Sequence, residues 1–128
     1  MSRLLASRTA IVAALEAGGI NAATTAKWSA PVVLVEPGDP WAGVELSLGR
    51  RRTGRWRVTA VAGRADTDGA LERLADLVDR VDVALLTVPG LELPTWSRPS
   101  DIQLDGASYA ASSATIQLQT PTLQEVLP

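Results

Sequence analysis

The segment "GRWRVTAVAGRADTDGALERLADLVDRV", residues 54–81, contains the change of hydrophobic period that decides the fold. Residues 55–63 alternate with a period of two, which predicts a strand. One face of that strand carries Trp56, Val58, Ala60 and Ala62, and the other carries Arg55, Arg57, Thr59 and Val61. From residue 71 the period becomes helical, with an apolar stripe of Leu71, Leu74, Leu77, Val78, Val81 and Leu85. The segment therefore predicts a strand followed by a helix that packs on a sheet.

The predicted helix has acidic side chains on its other faces. Glu72, Asp76, Asp79 and Asp82 point away from the apolar stripe, and Arg73 and Arg80 lie among them. Asp66 or Asp68 is expected to cap the start of the helix, and Pro89-Gly90 is expected to end it. The four acids are predicted to form a solvated or partner-facing surface, since no ligand from elsewhere in the chain accompanies them.

Residues on the N-terminal side of this segment predict a helix, a buried strand and a turn. A helix is expected from Leu4 to Leu15 and ends at Gly18-Gly19, and Glu16 favours a cytosolic helix over a targeting peptide. Val32–Glu36 predicts a strand with both faces covered. "PGDP", residues 37–40, predicts a structural corner in which Gly38 supplies a positive φ. Residues 44–48 and 55–63 predict a hairpin whose tip is "GRRRTG".

Residues on the C-terminal side predict a second hairpin. Strands at 101–104 and 107–120 are joined by an Asp105-Gly106 turn, and Pro94 and Pro99 interrupt the chain before them. An apolar tail, residues 120–128, is expected to fray or to dock on something. The expected fold is α+β, a single mixed or antiparallel sheet packed with two helices in the order α-β-β-β-α-β-β. The expectation is one domain, residues 1–128.

Composition argues against an enzyme. The chain has no histidine and no cysteine, which removes the usual general base, disulfides and thiolate metal sites. We therefore expect no catalytic residues, no cofactor and no metal. No segment approaches the roughly 20 apolar residues of a membrane span, so no membrane partner is expected.

Charge is segregated along the chain, which suggests complementary surfaces. Residues 50–64 contain six arginines and no acid, whereas residues 66–105 contain nine acids and three arginines. The candidate subunit-interface or lumen residues are Arg50, Arg51, Arg52, Arg55, Arg57 and Trp41. The candidate complementary surface is the acidic one at Glu72, Asp76, Asp79 and Asp82. As an alternative, "RRRTGRWR" predicts a nucleic-acid-binding module in which Trp56 stacks on bases.

Four motifs together resemble the tail-terminator (tail-completion) proteins of long-tailed bacteriophages that infect actinobacteria. They are "TAIVAALEAGGI" (9–20), "APVVLVEPGDPW" (30–41), the segment 54–81 and "SYAASSATIQLQT" (108–120). The resemblance covers residues 9–119. This chain departs from it in its arginine-dense "GRRRTG" tip and its short apolar tail.

The resemblance implies a structural virion protein located at the head-proximal end of the tail after assembly in the host cytoplasm. Such a protein forms a homo-oligomeric ring of six copies on the last ring of the tail tube protein. The ring stops tube polymerisation and joins the tail to the head–tail connector, with passing contact to DNA or the tape-measure end in its lumen. A head–tail joining (neck) protein is the alternative of the same class.

Overall fold

The computed structural model describes residues 3–25, 27–44, 52–91, 93–104 and 106–119. Its elements in chain order are α1 (Arg3–Ala17), β1 (Ala22–Ala23), β2 (Val32–Val44), β3 (Arg52–Arg64), α2 (Ala70–Leu85), β4 (Ser100–Leu104) and β5 (Ala107–Gln119). Within the described residues these form a five-stranded mixed sheet of order β1-β2-β3-β5-β4. β1 runs parallel to β2, and the other neighbouring strands pair antiparallel. The predicted α+β class and element order are confirmed.

β3 is the central strand, and the face that carries Trp56 holds the main core. Trp56, Val58 and Ala60 are fully buried there. α1 contributes Ile11 and Leu15, and α2 packs the buried side chains Leu74, Leu77, Val81, Ala84 and Leu85 on the same face. The alternation read from residues 55–63 therefore places both helices on one side of the sheet.

α1 ends as predicted, through glycine chemistry. Gly19 adopts a left-handed φ of 76°. The Ile20 N–H donates to the Leu15 carbonyl at 3.0 Å and the Gly19 N–H donates to the Glu16 carbonyl at 3.0 Å, which is the Schellman arrangement. Ile20 and Leu15 then enter the same core. The helix end is thus fixed by both hydrogen bonding and apolar contact.

The start of α2 differs from the sequence-based expectation. Its N-cap is Gly69, at φ 76°, and no side chain caps it, so the prediction that Asp66 or Asp68 does so is wrong. Arg73 of the first turn instead reaches back, donating to the Asp68 carbonyl at 2.9 Å and to the Thr67 hydroxyl. The Arg73 side chain thus stabilises the loop before α2, where Asp66 or Asp68 was expected to cap the helix.

The apolar stripe of α2 is also narrower than predicted. Leu71 is 61% exposed, so its place in the stripe was wrong. The first turn of α2 projects beyond the core, and burial begins at Leu74. The helix ends at Leu85, four residues before Pro89-Gly90.

The "PGDP" stretch is strand rather than corner. β2 runs through it to Val44, with an irregularity in its pairing to β3 between Pro37 and Ala42. Gly38 is not among the described glycines with positive φ. Its backbone lies so close to β3 that a Cβ would stand 2.9 Å from the Arg55 carbonyl oxygen. The predicted turn is wrong because Gly38 provides close approach between strands, and the proline residues are accommodated at the irregularity of an edge.

Of the other predicted strands, some are confirmed and some fall outside the described residues. β4 and β5 form the expected hairpin, with Gly106 at φ 79° in its turn. Val44 of the predicted 44–48 strand ends β2, whereas 45–48 lie outside the description, as does the 120–128 tail. No helix in the described ranges combines the length and apolarity that a membrane crossing requires.

The sheet face opposite the helices carries a small second cluster. Val32, Val61 and Ala111 are buried in it, and Trp28 packs edge-on against Tyr109 with ring centroids 5.5 Å apart. Farther along this face, Thr59 and Ser113 share a hydroxyl hydrogen bond of 2.9 Å. The helix-free face is thus apolar at one end and becomes polar towards the β2–β3 hairpin tip.

Candidate functional site

Arg55 and Arg57 of the candidate interface lie on the helix-free face of β3. Arg57 is paired across the sheet with Glu36 on β2 and Thr115 on β5, and its guanidinium is 3.6 Å from the Glu36 carboxylate. Arg55 lies two residues earlier on the same face of β3. Arg52 begins β3, and Arg50 and Arg51 lie outside the described residues. The exposed Arg57–Glu36 pair contributes little to stability, which leaves these charges available to a partner.

The candidate acidic surface lies on the other side of the molecule. Glu72, Asp76 and Asp79 are exposed on α2. Asp82 differs from them because its Oδ1 accepts a hydrogen bond of 2.9 Å from Trp96 Nε1. That bond ties the segment before β4 to α2. Asp82 therefore stabilises the fold, and the acidic surface available to a partner consists of Glu72, Asp76 and Asp79.

The sheet and α2 stand between the two charged surfaces. Arg55 and Arg57 extend from the face without helices, whereas the acids extend from the outer side of the helix that covers the opposite face. The structure therefore does not bring the predicted partners together within one copy. Opposite charge on opposite sides is an arrangement that two copies can satisfy head to tail.

Trp41 belongs to the helix side rather than to the arginine cluster. Its ring packs edge-on against Trp56 with centroids 5.7 Å apart, and 40% of the residue remains exposed. Trp41 thus covers the edge of the core near α1. Trp41 thus lies apart from Arg55 and Arg57, and its role as a subunit-interface or lumen residue stays a prediction that its exposed edge allows.

Trp56 is fully buried, which removes the stacking platform from the nucleic-acid alternative. Its Nε1 donates to Ser7 Oγ at 2.8 Å, inside the contact between α1 and β3. A base cannot reach this ring without opening the core. The expectation that Trp56 stacks on bases is therefore wrong. Under the nucleic-acid-binding hypothesis, only electrostatic contact between arginines and phosphates remains.

A groove of about 750 Å³ at the outer edge of β5 was not found from the sequence. One wall is strand, including Thr115 and Gln117, and the other is the segment before β4, including Leu93 and Trp96. Ser97 closes one end, because its N–H donates to the Ser113 carbonyl at 2.7 Å and its hydroxyl accepts from the Ser113 N–H at 3.0 Å. The available signal was Pro94 and Pro99, which keep the chain before β4 from continuing as a partner strand.

The described residues include no group of three or more carboxylate, imidazole or thiol side chains placed to hold a metal ion. Comparison with protein-family models and with curated protein sequences finds no significant match. The features that bear on function are therefore the charged surfaces, the groove and the resemblance in the sequence.

Proposed function

We propose that this protein is a ring-forming structural component of a virion, a tail terminator that caps the tail tube, stops its polymerisation and joins the tail to the head connector. The observation that carries the proposal is the separation of charge by the sheet, with Arg55 and Arg57 on one side and Glu72, Asp76 and Asp79 on the other. A closed ring of identical subunits uses heterologous contacts, in which two different surfaces of each copy are complementary.

The resemblance of residues 9–119 to tail terminators supports the more specific part of the proposal. A subunit of this kind works through surfaces and requires no general base or metal. The arginines contact the acidic surface of the next copy around the ring. A ring-shaped neck protein is the alternative role, and it differs in whether the ring acts on the tube.

Two measurements test the proposal. Multi-angle light scattering and electron microscopy of the purified chain are expected to show a closed ring of six copies whose stability falls as salt screens the charges. Addition of the ring to polymerising tail tube protein of the same virus is expected to stop tube growth. A monomer at all concentrations contradicts the ring, and a ring that leaves tube length unchanged contradicts the terminator role.

A further inference from the structure

The outer edge of β5 has backbone groups without a partner among the described residues. β4 pairs with β5 only as far as Ser100 and Ala111, and Ser97 bonds the backbone of Ser113 on the same side. Because alternate residues of a strand direct their N–H and C=O to the same edge, Thr115 and Gln117 direct theirs into the groove. Such a row of donors and acceptors is a template for an added strand.

The opposite edge of the sheet, on β2, disfavours the addition of a strand. On β2, the Val33 N–H donates outward to the Asn21 carbonyl at 2.8 Å. The same alternation places Pro37 at an outward position, where it has no N–H to offer. Pro40 and the irregular pairing interrupt the edge again. Of the two edges, only that of β5 presents a continuous run without proline at residues 114–119.

The groove has the dimensions and chemistry of a peptide slot. Five consecutive β5 residues, Ser113 to Gln117, line it, and the four beyond the Ser97 contact span about 13 Å of strand. Hydroxyl and amide side chains line much of it, and among the described lining residues Arg57 carries the only charge. The slot therefore suits a short extended peptide with an acidic side chain.

We propose that this edge receives residues 122–127 of a second copy of the chain as an added strand. The segment, "TLQEVL", contains neither proline nor glycine, and Glu125 supplies a charge opposite to that of Arg57. Residues 120–121 bridge up to about 7 Å from the end of β5 to the start of this segment, so the receiving edge belongs to a copy that packs directly beside β5. The inference rests on the self-association part of the proposed function.

The sequence of the connection favours a neighbouring copy over a tight return of the same chain. A two-residue hairpin after Gln119 places Thr120 and Pro121 at its centre. Type I′ requires positive φ at both positions and type II′ at the first, which proline and a β-branched residue disfavour. A tight return of residues 122–127 onto their own strand is therefore disfavoured, which leaves a neighbouring copy as the source of the added strand.

Truncation after Thr120 is the first test, measured as oligomer dissociation by mass photometry over a dilution series. The truncated chain is expected to dissociate at concentrations at least tenfold higher than the full chain. Thr115→Pro removes one edge N–H and is expected to act in the same direction, whereas Thr115→Val keeps the backbone donor and serves as its matched control. Circular dichroism verifies that each variant is folded.

A synthetic peptide of residues 120–128 provides a test that does not depend on variant folding. It is expected to bind the truncated chain, and the same peptide with Gln124→Pro is expected to bind at least tenfold more weakly. If the full chain forms rings while truncation and the peptide have no effect, this inference is overturned and the proposed function stands. If the full chain is monomeric throughout, both are overturned.

Discussion

Trp56 Nε1 donates a hydrogen bond of 2.8 Å to the hydroxyl of Ser7, which joins the central strand to α1 across 49 positions of sequence. The Ser7 hydroxyl in turn donates to the Leu4 carbonyl at 2.6 Å. The indole N–H is thus satisfied inside a fully buried environment. This chain of two bonds fixes α1 on the sheet and assigns Trp56 to the core.

Ser7→Ala is expected to lower the free energy of unfolding by about 1–3 kcal/mol, because the buried indole N–H loses its acceptor. Urea denaturation followed by tryptophan fluorescence measures the change. Thr9→Ala is the control: Thr9 bonds the Leu5 carbonyl on the exposed side of the same helix, and its loss is expected to be near neutral. Equal effects of the two substitutions contradict the role given to Ser7.

Gly54→Ala is expected to destabilise the fold by about 1–3 kcal/mol through overpacking. An added Cβ stands 2.8 Å from Ser7 Oγ and 3.2 Å from Trp56 Nε1, so the α1–β3 contact must open. Gly63→Ala in the same strand is the matched control, because its Cβ meets nothing nearer than the flexible Arg73 side chain at 3.8 Å. Thermal unfolding of both variants checks the difference, and a loss of similar size at the two sites argues against it.

Thr59 and Ser113 are expected to show coupling in a double-mutant cycle. Removing one hydroxyl of the 2.9 Å pair leaves the other without its partner, so Thr59→Val and Ser113→Ala each cost stability. The double variant is expected to cost less than their sum by about 1 kcal/mol, because no hydroxyl is then left unpaired. Additive costs in urea denaturation mean that the hydroxyl bond contributes nothing.

The sequence predicted those parts of the fold in which one local signal dominates. The alternation of residues 55–63 identified the core face of β3, and Gly18-Gly19 marked the end of α1. The predictions from the sequence were wrong where tertiary contacts determine the local structure. Leu71 fits the helical stripe, but it is exposed because α2 projects past the sheet there. Gly38 is typical of a turn residue, but the position requires glycine because β3 approaches it closely.

The candidate site was predictable in charge but not in geometry. Counting arginines and acids found both surfaces, yet sequence periodicity alone does not say that Asp82 accepts from Trp96 or that Trp41 packs on Trp56. The open edge of β5 depends on where its neighbouring strand ends. Pro94 and Pro99 indicate that the chain before β4 does not continue as a partner strand, but the bonds between Ser97 and Ser113, which close one end of the groove, are long-range contacts that the local sequence pattern does not show.

Asp82→Ala is expected to cost about 1–2 kcal/mol of unfolding free energy, since Trp96 Nε1 loses a charged acceptor at 2.9 Å. Asp79→Ala, on the same helix but exposed, is expected to be within about 0.5 kcal/mol of the parent. Amide hydrogen exchange of residues 93–99 supplies an independent measurement, with faster exchange in the Asp82 variant alone. Unchanged exchange in that segment contradicts the tie between α2 and the chain before β4.

Charge reversal tests the head-to-tail contact most directly. The double variant Arg55→Glu with Arg57→Glu is expected to weaken ring formation by at least tenfold, because it places acids against the acidic surface of the next copy. Glu72→Arg with Asp76→Arg is expected to weaken it similarly, whereas an equimolar mixture of the two variants is expected to form rings in which the variants alternate, because every contact then joins an acidic surface to a basic one.

Combining all four changes in one chain restores opposite charges at every interface, so rings are expected to return. Light scattering at low and moderate salt measures the outcome, with the Asp101→Arg variant as a control for net charge away from both surfaces. Failure of the fourfold variant to recover, with its fold intact by circular dichroism, shows that these two surfaces do not meet. The ring must then be sought in other contacts, because complementary charges that pair across an interface tolerate exchange whereas charges that serve different partners do not.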